Sequence, residues 1–261
     1  MVDWFLGTIG FTYREWKGSF YPAGLPVNQS LNFYGKVFNA VEINTTFYGS
    51  QTPEQIARWA AATPENFSFC LKAPRRVTHD LRLVNAEAEM CAFIESLAGL
   101  GEKFGAALIQ LPPSLKINER QALEKFLDAL PRGPRYAVEF RHPSWHVPAT
   151  NDLLRQHGVG WVATDYEDLP VDIHPTTDFL YLRWIGKHNV IPHPGYEVTD
   201  RSARLMNWLN RIQANLSGVK TIFGFFDNDY AGHAPATCTR LKELAGLSSS
   251  PSAPAEQGRL F

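Results

Sequence analysis

The chain has 261 residues, with 25 Lys and Arg against 26 Asp and Glu, and 44% of its side chains are apolar. That composition is ordinary for a globular protein and excludes a disordered chain, a fibre and a disulfide scaffold. A formal net charge of −1 excludes a global pull toward nucleic acid or anionic lipid, so an anion site has to be local.

Cys70, Cys91 and Cys238 are odd in number, far apart and form no C-x-x-C pair. They read as thiols packed like small apolar groups in a reducing compartment. The opening MVDWFLGTIGF has no basic n-region, and its apolar run is too short for a signal peptide or a membrane span. The expectation is a cytoplasmic protein with no membrane segment.

Taken in chain order, the strand-like runs begin with Phe5–Phe11 and Ala40–Asn44. Thr52-Pro53-Glu54-Gln55 then reads as a capping box with Pro at the first helical position, leading into Ile56, Trp59 and Ala60. After the run Phe67–Lys72, Asn85 precedes Met90, Phe93, Ile94 and Leu97 at helical spacing, closed by Gly99 or Gly101. Ala106–Leu111 follows, and Asn118 opens a helix with Leu123, Phe126, Leu127 and Leu130 on one face. Tyr136–Phe140 precedes a short helix capped by Thr150 and stopped by Gly158. Gly160–Thr164 and Phe179–Trp184 come next, and Thr199 opens a helix carrying Leu205, Trp208, Leu209, Ile212 and Leu216. Thr221–Phe226 leads into a last helix with Leu241 and Leu244 that ends near Gly246.

Eight β-rich runs, each followed by a crossover, read as one α/β domain over 1–246, a closed parallel (β/α)8 TIM-type barrel, which needs about 250 residues. The alternative, an open doubly wound sheet, wants a Gly-rich phosphate loop after its first strand, and Gly7-Thr8-Ile9-Gly10 lacks that spacing. Residues 247–261 are low in complexity and are expected to be a disordered tail.

Active sites of such barrels lie at the C-terminal strand ends, and polar residues gather there in this sequence. Glu42 and Asn44 share a face by the period of two, as do Glu139 and Arg141. Lys72, Gln110, Asp165, Arg183 and the pair Asp227-Asn228 end other strands. One reading is a buried ion network of Glu42, Glu139, Lys72, Arg141 and Arg183 that only plugs the barrel. The other is a site. Guanidinium forks suit phosphate or carboxylate oxygens, so Lys72, Arg141 and Arg183 point to an anionic, phosphate-bearing substrate, a nucleotide or nucleic-acid-related molecule. Asn44, Gln110, Asn228 and His142 would add contacts. Glu139 or Glu42 would move a proton, with Asp165 and Asp227 orienting partners, because carboxylates among cations stay ionised and suit a base. The loop from Lys72 to Arg82 is the most basic stretch and offers Arg76 and His79 to a phosphate, or to solvent. Tyr13, Trp16, Tyr48 and Trp145 are candidates for stacking on a base or sugar, or for the core. No cofactor is expected. If a divalent metal binds, His233, His142, Glu139 and Asp227 are its candidate ligands, although no His spacing is that of a tight metal motif. Two opposed carboxylates would also serve glycoside hydrolysis.

The segments Gly10-Phe11-Thr12-Tyr13-Arg14-Glu15-Trp16, Phe20-Tyr21-Pro22, Val41-Glu42-Ile43-Asn44-Thr45-Thr46-Phe47-Tyr48, Lys72-Ala73-Pro74, Thr78-His79, Gln110-Leu111-Pro112-Pro113, Val138-Glu139-Phe140-Arg141-His142-Pro143-Ser144-Trp145 and Asp227-Asn228 occur in this order. Together they resemble the YecE-like family, catalogued as a domain of unknown function, from about Gly7 to Leu244. The resemblance implies a TIM barrel and no settled activity. Phe11 stands where that family more often has Trp. Asp227 stands where Asn is common, which leaves open whether the last strand presents a charge or an amide.

Three functions follow as alternatives: a hydrolase or lyase-like enzyme using acid–base chemistry; a metal-dependent phosphodiesterase, endonuclease-like or sugar-isomerase-like barrel, by fold-level analogy; and a non-catalytic nucleic-acid or sliding-clamp adaptor. The last draws on the terminal Q-x-x-L-F of Gln257, Leu260 and Phe261, which resembles the peptide that docks bacterial replication and repair proteins on the sliding clamp.

Overall fold

The computed structural model describes residues 2–166, 169–188, 190–193 and 195–247. Its eight strands are β1 Asp3–Ile9, β2 Ala40–Ile43, β3 Ser68–Lys72, β4 Phe104–Gln110, β5 Tyr136–Glu139, β6 Gly160–Asp165, β7 Phe179–Trp184 and β8 Thr221–Phe226. All pairs are parallel and follow chain order, and β8 closes onto β1 from Asp3↔Thr221 to Thr8↔Phe226. This is the expected α/β TIM-type barrel.

The outer helices are α1 Ser30–Val37, α2 Pro53–Ala61, α3 Glu87–Ser96, α4 Arg120–Asp128, α5 Pro148–His157, α6 Ser202–Ala214, the short α7 Asn228–Ala231 and α8 Ala234–Leu244. Thr52 caps α2 as expected, its hydroxyl accepting from the Gln55 amide at 3.2 Å. Gly158 ends α5 in the left-handed conformation, φ 63°, which glycine adopts without steric cost. Four expected helix starts move: Asn118 lies within a short turn, Ile117–Glu119, before α4. Asn85 takes φ 52° in the turn before α3. Thr150 lies inside α5, which Pro148 starts. α6 begins at Ser202, whose amide donates to Asp200 at 2.8 Å instead of to Thr199. Helix α1 was not expected, since Gly35 in its middle weakens the helical signal. Tyr34 secures it: its hydroxyl accepts from the Thr8 amide at 2.8 Å and donates to the Ala40 carbonyl at 3.0 Å, tying α1 to both β1 and β2.

The period of two sorts each strand between two cores. Leu71, Ile109, Val138, Ala163, Leu180 and Leu182 face the helices. Phe5, Cys70, Leu108, Val162, Phe179, Tyr181, Phe223 and Phe225 fill the barrel itself. At its lower end the Phe223 ring lies 5.5 Å from Phe5 and 6.0 Å from Phe179. Each such fully buried side chain is worth about 1.5–3 kcal/mol of transfer free energy. Cys70 and Cys238 are buried, Cys91 is half-buried, and all three are free thiols. Among the described residues no helix is long and apolar enough to cross a membrane. The terminal peptide with Gln257, Leu260 and Phe261 lies outside the described residues.

Candidate active site

The inward-facing residues of the last strand layer are charged. Arg183 on β7 grips Glu42 on β2 with two bonds, Nε to Oε2 at 2.9 Å and Nη2 to Oε1 at 2.8 Å. Tyr181 donates to the same Oε2 at 2.9 Å. The remaining Nη1 of Arg183 donates to Glu139 on β5, and the other Glu139 oxygen accepts from Arg141 Nε. Glu42 and Glu139 are 0% exposed and Arg183 only 2%. Burial by itself would push the Glu139 carboxyl up, but Arg141 and Arg183 outweigh it and hold Glu139 below its ordinary value. Both carboxylates therefore have their oxygens occupied by the chain's own cations. One guanidinium bridges the two, where a sugar ring would have to sit for glycoside hydrolysis.

The cations above this layer are less committed. Lys72 Nζ donates to Gln110 Oε1 at 2.7 Å and stands 4.0 Å over the Phe47 ring. Burial, with Arg183 beside it, pushes its ammonium down to about 8, while Glu139 and Glu42 oppose the shift. Arg141 stacks on the Tyr166 ring at 3.8 Å. Among the described residues it uses only Nε in hydrogen bonding, so both terminal nitrogens keep their protons unspent. Asn44 Oδ1 and Thr164 Oγ1 are buried here without a partner among the described residues.

The loop after β3 brings His79 to the same face. Burial, then Lys72 and Arg75, push its imidazole down to about 4, so it is neutral near pH 7. It sits edge-on to Phe47 at 5.0 Å, with Nδ1 2.8 Å from the Thr78 hydroxyl. Arg82, Leu83 and Asn85 hold φ values of 50°, 68° and 52°, a region costing on the order of 1 kcal/mol each for such residues. The clamp that holds them is Arg82 on Glu119, at 2.7 and 2.8 Å.

On the opposite side, Asp227 follows β8, and its carboxylate accepts from the Asp229 amide at 3.0 Å. Burial raises its carboxyl above the ordinary value; that amide bond opposes the shift and the Asp229 charge adds to it. Asp229 holds two imidazoles, His188 Nδ1 at 2.6 Å and His193 Nε2 at 2.9 Å. With Nδ1 turned to the carboxylate, His188 is oriented in the manner of a His–Asp dyad, its Nε2 directed away from Asp229. Its ring lies 5.7 Å from Tyr166, next to Arg141. Gly186 makes this arrangement fit: at φ 73°, a Cβ there would meet the Asp229 carbonyl at 2.5 Å.

Several expected site residues have other partners. Asp165 faces outward and accepts from Arg204 Nε at 2.6 Å, Trp208 at 2.9 Å and Tyr230 at 3.1 Å, so it joins β6 to α6. Asn228 Oδ1 accepts from Trp16 at 3.1 Å and from the Ala234 amide at 2.9 Å, anchoring α8. Trp145 is wholly buried, stacked on Phe140, with its indole bonded to the Leu115 carbonyl at 2.9 Å. His142 Nδ1 accepts from the Ser144 amide at 3.1 Å and caps a short turn. Tyr13 donates to the Ile9 carbonyl at 2.6 Å, and burial with Asp227 nearby raises its phenol. Arg76 is exposed and pairs with Glu89 at 3.1 Å. His233 is buried 3.4 Å from Ser19, and burial pushes its imidazole down to about 4. His233, His142, Glu139 and Asp227 do not converge, and no three His, Cys, Asp or Glu among the described residues are placed to hold a metal ion.

The sequence assigns no site role to Tyr166, Asp229 or Phe47 and gives no sign of the His188–Asp229 pairing. The loops after β7 and β8 meet only in the closed barrel, so no local spacing announces the dyad.

Over residues 5–258 the chain matches the family described as "Protein of unknown function DUF72". The chain belongs to that family. The UPF0759 protein YecE of Escherichia coli K12 is 35% identical over 141 residues, 52% of each chain, so this match spans about half the length of YecE. The UPF0759 protein YunF of Bacillus subtilis is 24% identical over 94% of this chain and 97% of its own. A DUF72 family protein from Thermotoga maritima superposes with a TM-score of 0.80 at 30% identity, covering 94% of this DUF72 chain and 99% of that one. An Enterococcus faecalis family protein reaches 0.75 at 20% identity over 96% and 98%, a likeness of fold.

Proposed function

We propose that the barrel mouth is an anion-binding active site and that the chain is an enzyme acting by acid–base chemistry on a phosphate-bearing substrate. One observation carries this reading. Lys72 and Arg141, whose exposure is 9% for the Lys72 residue and 6% for the Arg141 side chain, keep N–H donors unspent on any described protein acceptor. Nearly buried cations normally have their donors matched, because unmatched ones lose solvation without return. An anionic oxygen at the mouth would complete both.

The division of labour differs from the one the strand ends first suggest. Glu42 and Glu139 set the field and hold Arg183 and Arg141 in place, since their oxygens are already engaged. Proton transfer falls to Lys72 and Asp227, whose charged forms burial disfavours, and to His188, oriented by Asp229.

Calorimetric titration with sulfate tests the reading, because sulfate stays a dianion across the working pH range. Binding is expected, and Arg141→Ala should weaken it at least about tenfold, as loss of a charged hydrogen bond does. No sulfate binding by the intact chain, or equal binding by the variant, overturns it.

A further inference from the structure

We infer that the groove beside the mouth is the base subsite of a nucleotide whose phosphate rests on Lys72 and Arg141. The inference depends on the anion-site reading and adds the substrate class.

The groove encloses about 470 Å³, within the range of about 300–1,000 Å³ usual for small-ligand sites. Phe47, Tyr48, Pro74, Arg75, Arg76 and Phe93 are among its walls. Phe47 belongs to both compartments: Lys72 Nζ covers its ring on the mouth side, and the Tyr48 ring stands 5.1 Å away at 89° on the groove side. A phosphate at Lys72 and a flat ring at Tyr48 are thus one aromatic residue apart, a step that a nucleoside monophosphate spans.

Tyr48 is the decisive side chain. It is 82% exposed, more than any other exposed large apolar residue described, although it lies against the groove. A tyrosine recruited for packing would be buried; this one presents a bare ring face. Base–aromatic stacking is worth about 1–3 kcal/mol per base by alanine substitution and tolerates any base, because each has a π-face. The polar rim suits a base as well. Arg75 pairs with Asp80 at 3.3 Å and Arg76 with Glu89 at 3.1 Å; Arg75, Asp80 and Arg76 are exposed and Glu89 half-buried, and pairs so placed at a surface hold weakly and yield to a ligand. The two carboxylates offer acceptors to the amino and imino groups of a base.

The test is calorimetric titration of the full chain with the four common nucleoside 5′-monophosphates, ribose 5-phosphate and inorganic phosphate. At least one nucleotide should bind about 5- to 100-fold tighter than ribose 5-phosphate. Tyr48→Ala should bring that nucleotide down to the affinity of ribose 5-phosphate, and Tyr48→Phe should restore the difference. Tyr48 is exposed, so both variants keep the fold. If ribose 5-phosphate binds as tightly as every nucleotide, or if the advantage survives Tyr48→Ala, the base subsite is refuted while the anion site stands. If neither phosphate nor any nucleotide binds, the anion-site reading fails and takes this inference with it.

Discussion

The two ends of one barrel interior solve the same packing problem with opposite chemistry. The lower end is filled by Phe5, Phe179 and Phe223, whose rings touch each other and ask for no partners. The upper end is filled by the buried Glu42, Glu139, Arg183 and Lys72. Apolar filling contributes through its area removed from water and needs no hydrogen-bond partner. Charged filling contributes little net stability, because desolvation consumes most of the Coulombic gain, and it fails badly when one member is removed. An ionic layer under an open mouth is therefore a poor way to stabilise a barrel and a good way to fix cations where a ligand arrives.

The sharpest way to break this comparison is Arg183→Met. It strands two wholly buried carboxylates and should cost about 3–5 kcal/mol in chemical denaturation. A variant as stable as the parent would show that the upper layer is not a coupled ionic unit. Phe223→Ala acts at the other end and should cost about 3 kcal/mol or more through the cavity it leaves. It should also leave sulfate affinity within about twofold of the parent's, since additivity holds for distant sites; a larger change would couple the two ends.

Lys72 separates them by pH. Its ammonium sits at about 8 in the fold against 10.5 for an ordinary lysine. The unfolded chain therefore holds more protons between those values, and the Lys72 contribution to stability rises with pH across that window. Sulfate affinity should move the other way, falling as pH passes 8 and the cation discharges. Comparing pH titrations of the parent with Lys72→Met checks both signs, and a variant that keeps the affinity loss above pH 8 assigns it to another group. The smallest effect is expected outside both ends: Thr52→Ala removes a helix cap and should lower stability by about 1 kcal/mol with no change in sulfate binding.

Much of the barrel can be read from one dimension. Near-continuous apolar runs such as Phe179–Trp184 and Thr221–Phe226 coincide with the strands, and Gly158 stops its helix where its left-handed φ requires. Caps are less legible. Asn85 and Thr199 carry the right chemistry for a helix start, yet the chain begins each helix a turn or a few residues later. At the site, parity along the strand identifies Glu42, Glu139, Lys72, Gln110 and Arg183 as inward neighbours. Asp165 shows where inference from strand ends stops, because one step in parity turns its carboxylate outward to Arg204 and Trp208.

What the sequence alone determined is the closed parallel barrel, the face that carries the polar residues and the family. Each follows from local periodicity and from motifs that survive in linear order. What only the tertiary structure decided is which charges are spent and which are left over. Glu42 and Arg183 are 141 positions apart and Glu139 and Arg183 are 44 apart, and ring closure makes them neighbours. The same closure sets His188 against Asp229 and, among the described residues, leaves the terminal nitrogens of Arg141 without a protein acceptor. Hydrogen bonding saturates within about 3 Å, so the availability of a charged group depends on neighbours that linear spacing does not specify.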